Sequence, residues 1–158
     1  MAAAQIESGV YFIQNVGTGT VLDLTDGSNV DNTKVQGFEK RELNDVWVSA
    51  QLWIISQVGT DPVYTIQNAN SRTYADLSGS NLQSGTPIIG FHGTGNPNQN
   101  WIITRNTLKT AYVIRNQATG TYVDLLNGGT ANGTAVNGWA GEGVDTPNPH
   151  QLWHIVRA

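Results

Sequence analysis

Tyr112-Val113-Ile114-Arg115-Asn116 is the stretch from which the architecture can be read, because its pattern stands at two earlier places in the chain. Tyr11-Phe12-Ile13-Gln14-Asn15 and Tyr64-Thr65-Ile66-Gln67-Asn68 share the form Tyr-x-Ile-x-Asn, with starts 53 and then 48 residues apart. Twelve residues beyond each tyrosine comes Asp-Leu, at Asp23-Leu24, Asp76-Leu77 and Asp124-Leu125. Fourteen beyond each aspartate comes a glycine followed by an aromatic ring: Gly37-Phe38, Gly90-Phe91 and Gly138-Trp139. Each segment closes on Gln-x-Trp, at Gln51-Leu52-Trp53, Gln99-Asn100-Trp101 and Gln151-Leu152-Trp153. Four landmarks in one order, three times over, define an internal repeat with units at about residues 9–60, 61–109 and 110–158.

Within a unit, short β-branched and aromatic runs alternate with Gly, Asn, Ser and Thr clusters, which predicts about four strands joined by turns. No segment has the period of an amphipathic helix. Three units of four strands are too few for a propeller and suit a three-fold barrel with a hairpin cap. The expectation is therefore an all-β chain, one β-trefoil domain over residues 1–158. Ile13, Ile66 and Ile114, Leu24, Leu77 and Leu125, and Trp53, Trp101 and Trp153 should meet in a shared core that no unit could bury alone. The three glutamines are expected to satisfy loop backbone groups with their amides, and Gly138 to turn the chain tightly so that the Trp139 indole stays on the surface.

Composition narrows the function. Only 13% of the 158 residues are charged, 12 acids against 8 bases give a net charge of −4, and neither sign forms a block, so nucleic acid is an unlikely partner. There is no cysteine, which excludes disulfides, a thiolate nucleophile and a Cys-based zinc site. No apolar stretch approaches the length of a membrane-spanning helix, so membrane insertion is not expected. The opening Met1-Ala2-Ala3-Ala4-Gln5-Ile6-Glu7-Ser8 has neither a basic region nor a long apolar run, so a cytoplasmic location is expected.

Recognition of a neutral sugar needs an acceptor for adjacent hydroxyls, a flat apolar surface for a ring face, and an amide or imidazole to complete the polar contacts. The third unit offers all three. Asp124 can accept from two vicinal hydroxyls, and charge-assisted bonds are about twice as strong as neutral ones. Trp139 supplies the indole face, against which a galactose with its axial C4 hydroxyl can stack. Asn137 lies beside it, and Asn148-Pro149-His150-Gln151 can bring an amide or imidazole over the same spot. The second unit keeps Asp76 and Phe91, has Ile89 where the third has Asn137, and adds His92 and Asn98. The first keeps Asp23, Gln36 and Phe38 but has Ala50 where the others carry Asn98 and His150. It also has a longer charged loop, Glu39-Lys40-Arg41-Glu42, suited to widening the pocket, contacting an extended glycan or meeting another subunit.

These landmarks resemble the fungal ricin-B-like, or R-type, β-trefoil lectins, recognised by Gln-x-Trp in each repeat; the resemblance covers residues 9–158. The longer string Gly133-Thr134-Ala135-Val136-Asn137-Gly138-Trp139 with Asn148-Pro149-His150-Gln151-Leu152-Trp153 is similar to mushroom agglutinins of this group. The resemblance implies binding of galactose or N-acetylgalactosamine glycans at up to three surface sites. It also implies no cofactor, a defence role as an agglutinin, and a homodimer.

Other chemistries are weaker. A glycosidase needs two carboxylates about 5–10 Å apart. The repeated aspartates should instead be separated by the three-fold symmetry, and the four glutamates lie outside the repeated motifs. His92, His150 and His154 lack the paired spacing of a metal site. The alternative function is a β-trefoil that binds protein, such as a protease inhibitor presenting one loop, because the fold alone fixes no activity.

Overall fold

The repeated Tyr-x-Ile-x-Asn segments become extended because alternate side chains point to opposite faces of a strand, which buries the isoleucines on one side. The computed structural model describes residues 6–158. Its first unit holds strands β1 (Gly9–Asn15), β2 (Val21–Leu24), β3 (Thr33–Phe38) and β4 (Trp53–Gln57). The second holds β5 (Val63–Asn68), β6 (Tyr74–Leu77), β7 (Thr86–Phe91) and β8 (Trp101–Arg105). The third holds β9 (Tyr112–Asn116), β10 (Tyr122–Leu125), β11 (Thr134–Trp139) and β12 (Trp153–Arg157). Only short 3-10 turns interrupt the strands among the described residues, so the chain is all-β, as its sequence predicts.

Six strands close a barrel. Antiparallel pairing runs β1–β4, β4–β5, β5–β8, β8–β9, β9–β12 and back from β12 to β1. The other six form the hairpins β2–β3, β6–β7 and β10–β11. Their second strands pair with one another around a three-fold arrangement that caps one barrel end. This is the β-trefoil.

The core follows the landmarks. The three isoleucines, three leucines and three Gln-x-Trp tryptophans are all buried. Each indole Nε1 donates to a backbone carbonyl of its own unit's hairpin: Trp53 to Leu22, Trp101 to Ala75 and Trp153 to Val123, at 3.0, 3.0 and 3.1 Å. A buried indole thereby keeps its polar atom paired while its ring fills the interior.

The landmark glycines require a correction. Gly37, Gly90 and Gly138 turn nothing: they lie inside β3, β7 and β11, and none has a positive φ. They are small because a leucine from another unit packs against each. A Cβ would stand 2.8 Å from Leu125 Cδ1 at Gly37, 2.9 Å from Leu24 Cδ1 at Gly90 and 2.7 Å from Leu77 Cδ1 at Gly138. The leucine of each Asp-Leu pair therefore locks into the glycine of another unit, in a cycle that closes after three steps.

Candidate functional site

Each repeated aspartate sits at the same place in its hairpin. Asp23, Asp76 and Asp124 face Gln36, Ile89 and Asn137 directly across the strand pair. The chain then enters a tight turn whose middle residue, Asp26, Gly79 or Asn127, has φ of 55°, 62° or 53°. The segment leading into Gln-x-Trp returns over this turn. It is fixed there by the asparagine that ends the Tyr-x-Ile-x-Asn strand of the following unit. Asn68 Nδ2 donates to the Ala50 carbonyl and Asn116 Nδ2 to the Asn98 carbonyl, both at 3.0 Å. Asn15 Nδ2 donates to the Pro149 carbonyl at 3.0 Å, which closes the cycle. Two units thus build each site.

The glutamines hold the carboxylates. The Nε2 groups of Gln51, Gln99 and Gln151 donate to Asp23 Oδ2 at 3.1 Å, Asp76 Oδ2 at 2.9 Å and Asp124 Oδ2 at 2.9 Å. The same amides donate to the carbonyls of Glu39, His92 and Ala140, the expected backbone role. Gln151 is therefore a support for Asp124, buried behind it. Burial pushes all three carboxyl groups above the usual aspartate range, and the glutamine bonds partly offset it.

At the third site, Asp124, Asn127, Trp139, Asn148 and His150 line an open cavity of about 230 Å³. Asp124 Oδ2 is taken by Gln151, while Oδ1 accepts no hydrogen bond from the described residues. Trp139, at the end of β11, is 37% exposed. Asn148 Oδ1 accepts from the His150 backbone N–H at 3.0 Å and so shapes the loop. The imidazole lies against Gly128, where a Cβ would come within 2.7 Å of Nε2. Asn137 is buried across the hairpin and contributes no wall.

The second site is filled by its own side chains. Asn98 Nδ2 donates to Asp76 Oδ1 and to the Leu77 carbonyl, both at 3.1 Å, so both carboxylate oxygens already have donors. His92 is drawn toward the first unit: its Nδ1 lies 2.6 Å from Asp31 Oδ2 and its backbone N–H donates to Asp31 Oδ1 at 2.8 Å. Its ring sits 4.5 Å from that of Phe91. Asp31 is held below the ordinary carboxylate range by the bond to this ring. The structure brings Asp76 and Asn98 together, but ties His92 to a partner outside the set.

The first site has a cavity of about 240 Å³, with Asp23, Gln36, Phe38 and Ala50 among its walls. Gln36 Nε2 donates to Asp23 Oδ1 at 3.1 Å, so both oxygens of this carboxylate also have one donor each, but Ala50 leaves open the space that Asn98 spans in the second unit. Two further walls, Arg41 and Trp47, come from the long loop after β3: Arg41 belongs to the charged stretch expected to widen the pocket, whereas Trp47 was not anticipated from sequence. The signal was there: Gln51 comes 14 positions after Gly37 whereas Gln99 comes 9 after Gly90, and the extra length contains a tryptophan. No cluster of three or more potential metal ligands occurs among the described residues.

Comparison with known proteins agrees with this geometry. The chain is similar to the Polyporus squamosus lectin solved with Neu5Acα2-6Galβ1-4GlcNAc: 32% identity, TM-score 0.79, covering 96% of this chain and 50% of that one. It thus spans about half of that lectin's length. It is also similar to the Macrolepiota procera ricin B-like lectin in complex with lactose, at 28% identity and TM-score 0.75, covering 98% and 100% of the two chains. The Rhizoctonia solani agglutinin is 25% identical with TM-score 0.81, covering 99% and 100%. The family model described as ricin-type beta-trefoil lectin domain-like matches residues 3–91 and 49–139, overlapping stretches as expected of a repeat. The chain belongs to the ricin-type β-trefoil lectin family.

Proposed function

We propose that this protein is a non-enzymatic lectin that binds galactose or N-acetylgalactosamine residues of glycans at its first and third sites. The observation that carries this reading is the third cavity. A carboxylate fixed through one oxygen keeps the other for ligand hydroxyls, next to an exposed indole face. The donors on the sugar are its hydroxyls, and stacking on an indole contributes roughly 0.5–1.5 kcal/mol beyond area burial. The Macrolepiota and Polyporus relatives, with galactose-containing ligands in their structures, support the choice of sugar. The three aspartates belong to separate hairpins, which favours binding over two-carboxylate hydrolysis. With more than one site, the protein would act as an agglutinin, consistent with the defence role its resemblance implies.

The test is titration of the purified protein with methyl β-galactoside and N-acetylgalactosamine beside glucose and mannose. The galactose-type ligands should bind and Asp124→Ala should remove the third site with the fold kept, by circular dichroism. Equal binding of glucose, or full third-site binding by the variant, would sink the reading.

A further inference from the structure

The first site departs from the third in its stacking surface. Phe38 occupies the position of Trp139, but the Arg41 guanidinium carbon lies 5.0 Å from the Phe38 ring centroid and covers it. Arg41 is steadied there by its neighbours. Its Nη1 donates to Asp45 at 3.3 Å, and its backbone N–H donates to Gln51 Oε1 at 2.8 Å. The more open aromatic surface in this cavity belongs to Trp47, 58% exposed, while Phe38 is half-buried.

Trp47 is also held in place. Its backbone N–H donates to Asp45 Oδ1 at 2.7 Å, and its carbonyl accepts from Ala50 N–H at 3.2 Å. Ser49 Oγ ties the same turn to Asn70 at 2.9 Å. A ring carried on a fixed turn has less freedom to lose when a ligand covers it. Ala50 has no side chain long enough to fill the gap that Asn98 spans in the second unit.

We propose that Trp47 is the specificity-determining residue of the first site, selecting galactosides that carry a flat apolar group on the anomeric oxygen. This rests on the galactose reading above. Asp23 is buried at the floor while Trp47 stands at the rim. A galactose anchored by a vicinal pair that includes its C4 hydroxyl directs C1, across the ring, away from the floor. The anomeric substituent is then the part that reaches Trp47. The third site, whose loop from Ala140 to His150 contains no phenylalanine, tyrosine or tryptophan, has no second large apolar wall of this kind.

The indole N–H resonances of Trp47 and Trp139 report the two sites separately in the intact protein, and the Gln36 side-chain amide reports the first site independently of Trp47. Phenyl β-galactoside should bind the first site about five- to tenfold more tightly than methyl β-galactoside, with a smaller ratio at the third. Trp47→Ala should bring the phenyl ligand down to the methyl ligand's affinity at Gln36, and Trp47→Phe should restore part of the preference. If the Gln36 amide responds equally to both ligands in the wild-type protein, the inference about Trp47 is wrong while galactoside binding stands. If neither ligand moves Gln36 or Trp47, galactoside binding at this site fails, and the inference with it.

Discussion

At the scale of single residues, the proposed role of Asp124 makes sugar binding and folding respond differently to acid. Burial is the largest influence on Asp124 and raises its pKa from the ordinary 3.8; the Gln151 bond and the charge of His150 pull the other way. A protonated carboxyl loses acceptor capacity for sugar hydroxyls, so affinity should fall as pH drops through this raised pKa, by about tenfold per unit once below it. Stability follows the opposite sign. A carboxyl with a raised folded pKa holds its proton more tightly when folded, so acid relieves a penalty rather than adding one. Asp31 and Asp145 have lowered values, through bonds from His92 and Thr107. Their stabilising effect is present above the ordinary 3.8 and fades only as pH falls from there toward their depressed values. Third-site binding should therefore vanish at a pH where circular dichroism still shows the intact fold. Loss of both in a single step would contradict this assignment.

At the scale of elements, the hairpins are held by the Leu-into-Gly lock. Gly138 has no unusual φ, so replacing it with alanine tests packing alone. The new methyl would lie 2.7 Å from Leu77 Cδ1 and 2.9 Å from Thr121 Oγ1, and Leu77 is fully buried with nowhere to move. Overpacking of this kind costs about 1–3 kcal/mol. Gly138→Ala should lower the midpoint of urea unfolding accordingly, whereas an unchanged midpoint would mean that the cap gives way easily.

That lock also shows what the sequence disclosed and what it withheld. The spacing of Tyr-x-Ile-x-Asn, Asp-Leu, Gly-aromatic and Gln-x-Trp was legible because equivalent places around a three-fold axis demand equivalent side chains. It gave the strand count, the shared core and the aspartates. It did not show why glycine recurs, because the reason is a leucine in another unit. The asparagine clamps were missed for the same reason, since Asn15 and Pro149 are 134 residues apart. His92 looked like a ligand contact until Asp31, 61 residues away, proved to be its partner. Contacts between units leave no local pattern, which is why His92 was misjudged, whereas Asn137 and Gln151 were displaced from the ligand side by contacts with Asp124 within their own unit.

At the scale of the molecule, the barrel closes only when β1 meets β12, from Tyr11 opposite Arg157 to Asn15 opposite Trp153. The loop beside each repeated aspartate in turn depends on an asparagine from another unit. Fold and sites are therefore assembled together, and the first and third cavities are carried on different hairpins. Two separated cavities on one rigid chain can bridge two cells, and linked binding raises avidity by roughly a hundredfold or more over a single site. The second site adds little, because Asn98, bonded to both Asp76 and the Leu77 carbonyl, spans the gap that Ala50 leaves open in the first unit. Asp124→Ala should accordingly abolish red-cell agglutination while the first site still binds galactoside in solution. Free galactose should inhibit the wild-type protein. Agglutination at full titre by a variant with a single working site would show that bridging arises from self-association, and would remove the need for two sites per chain.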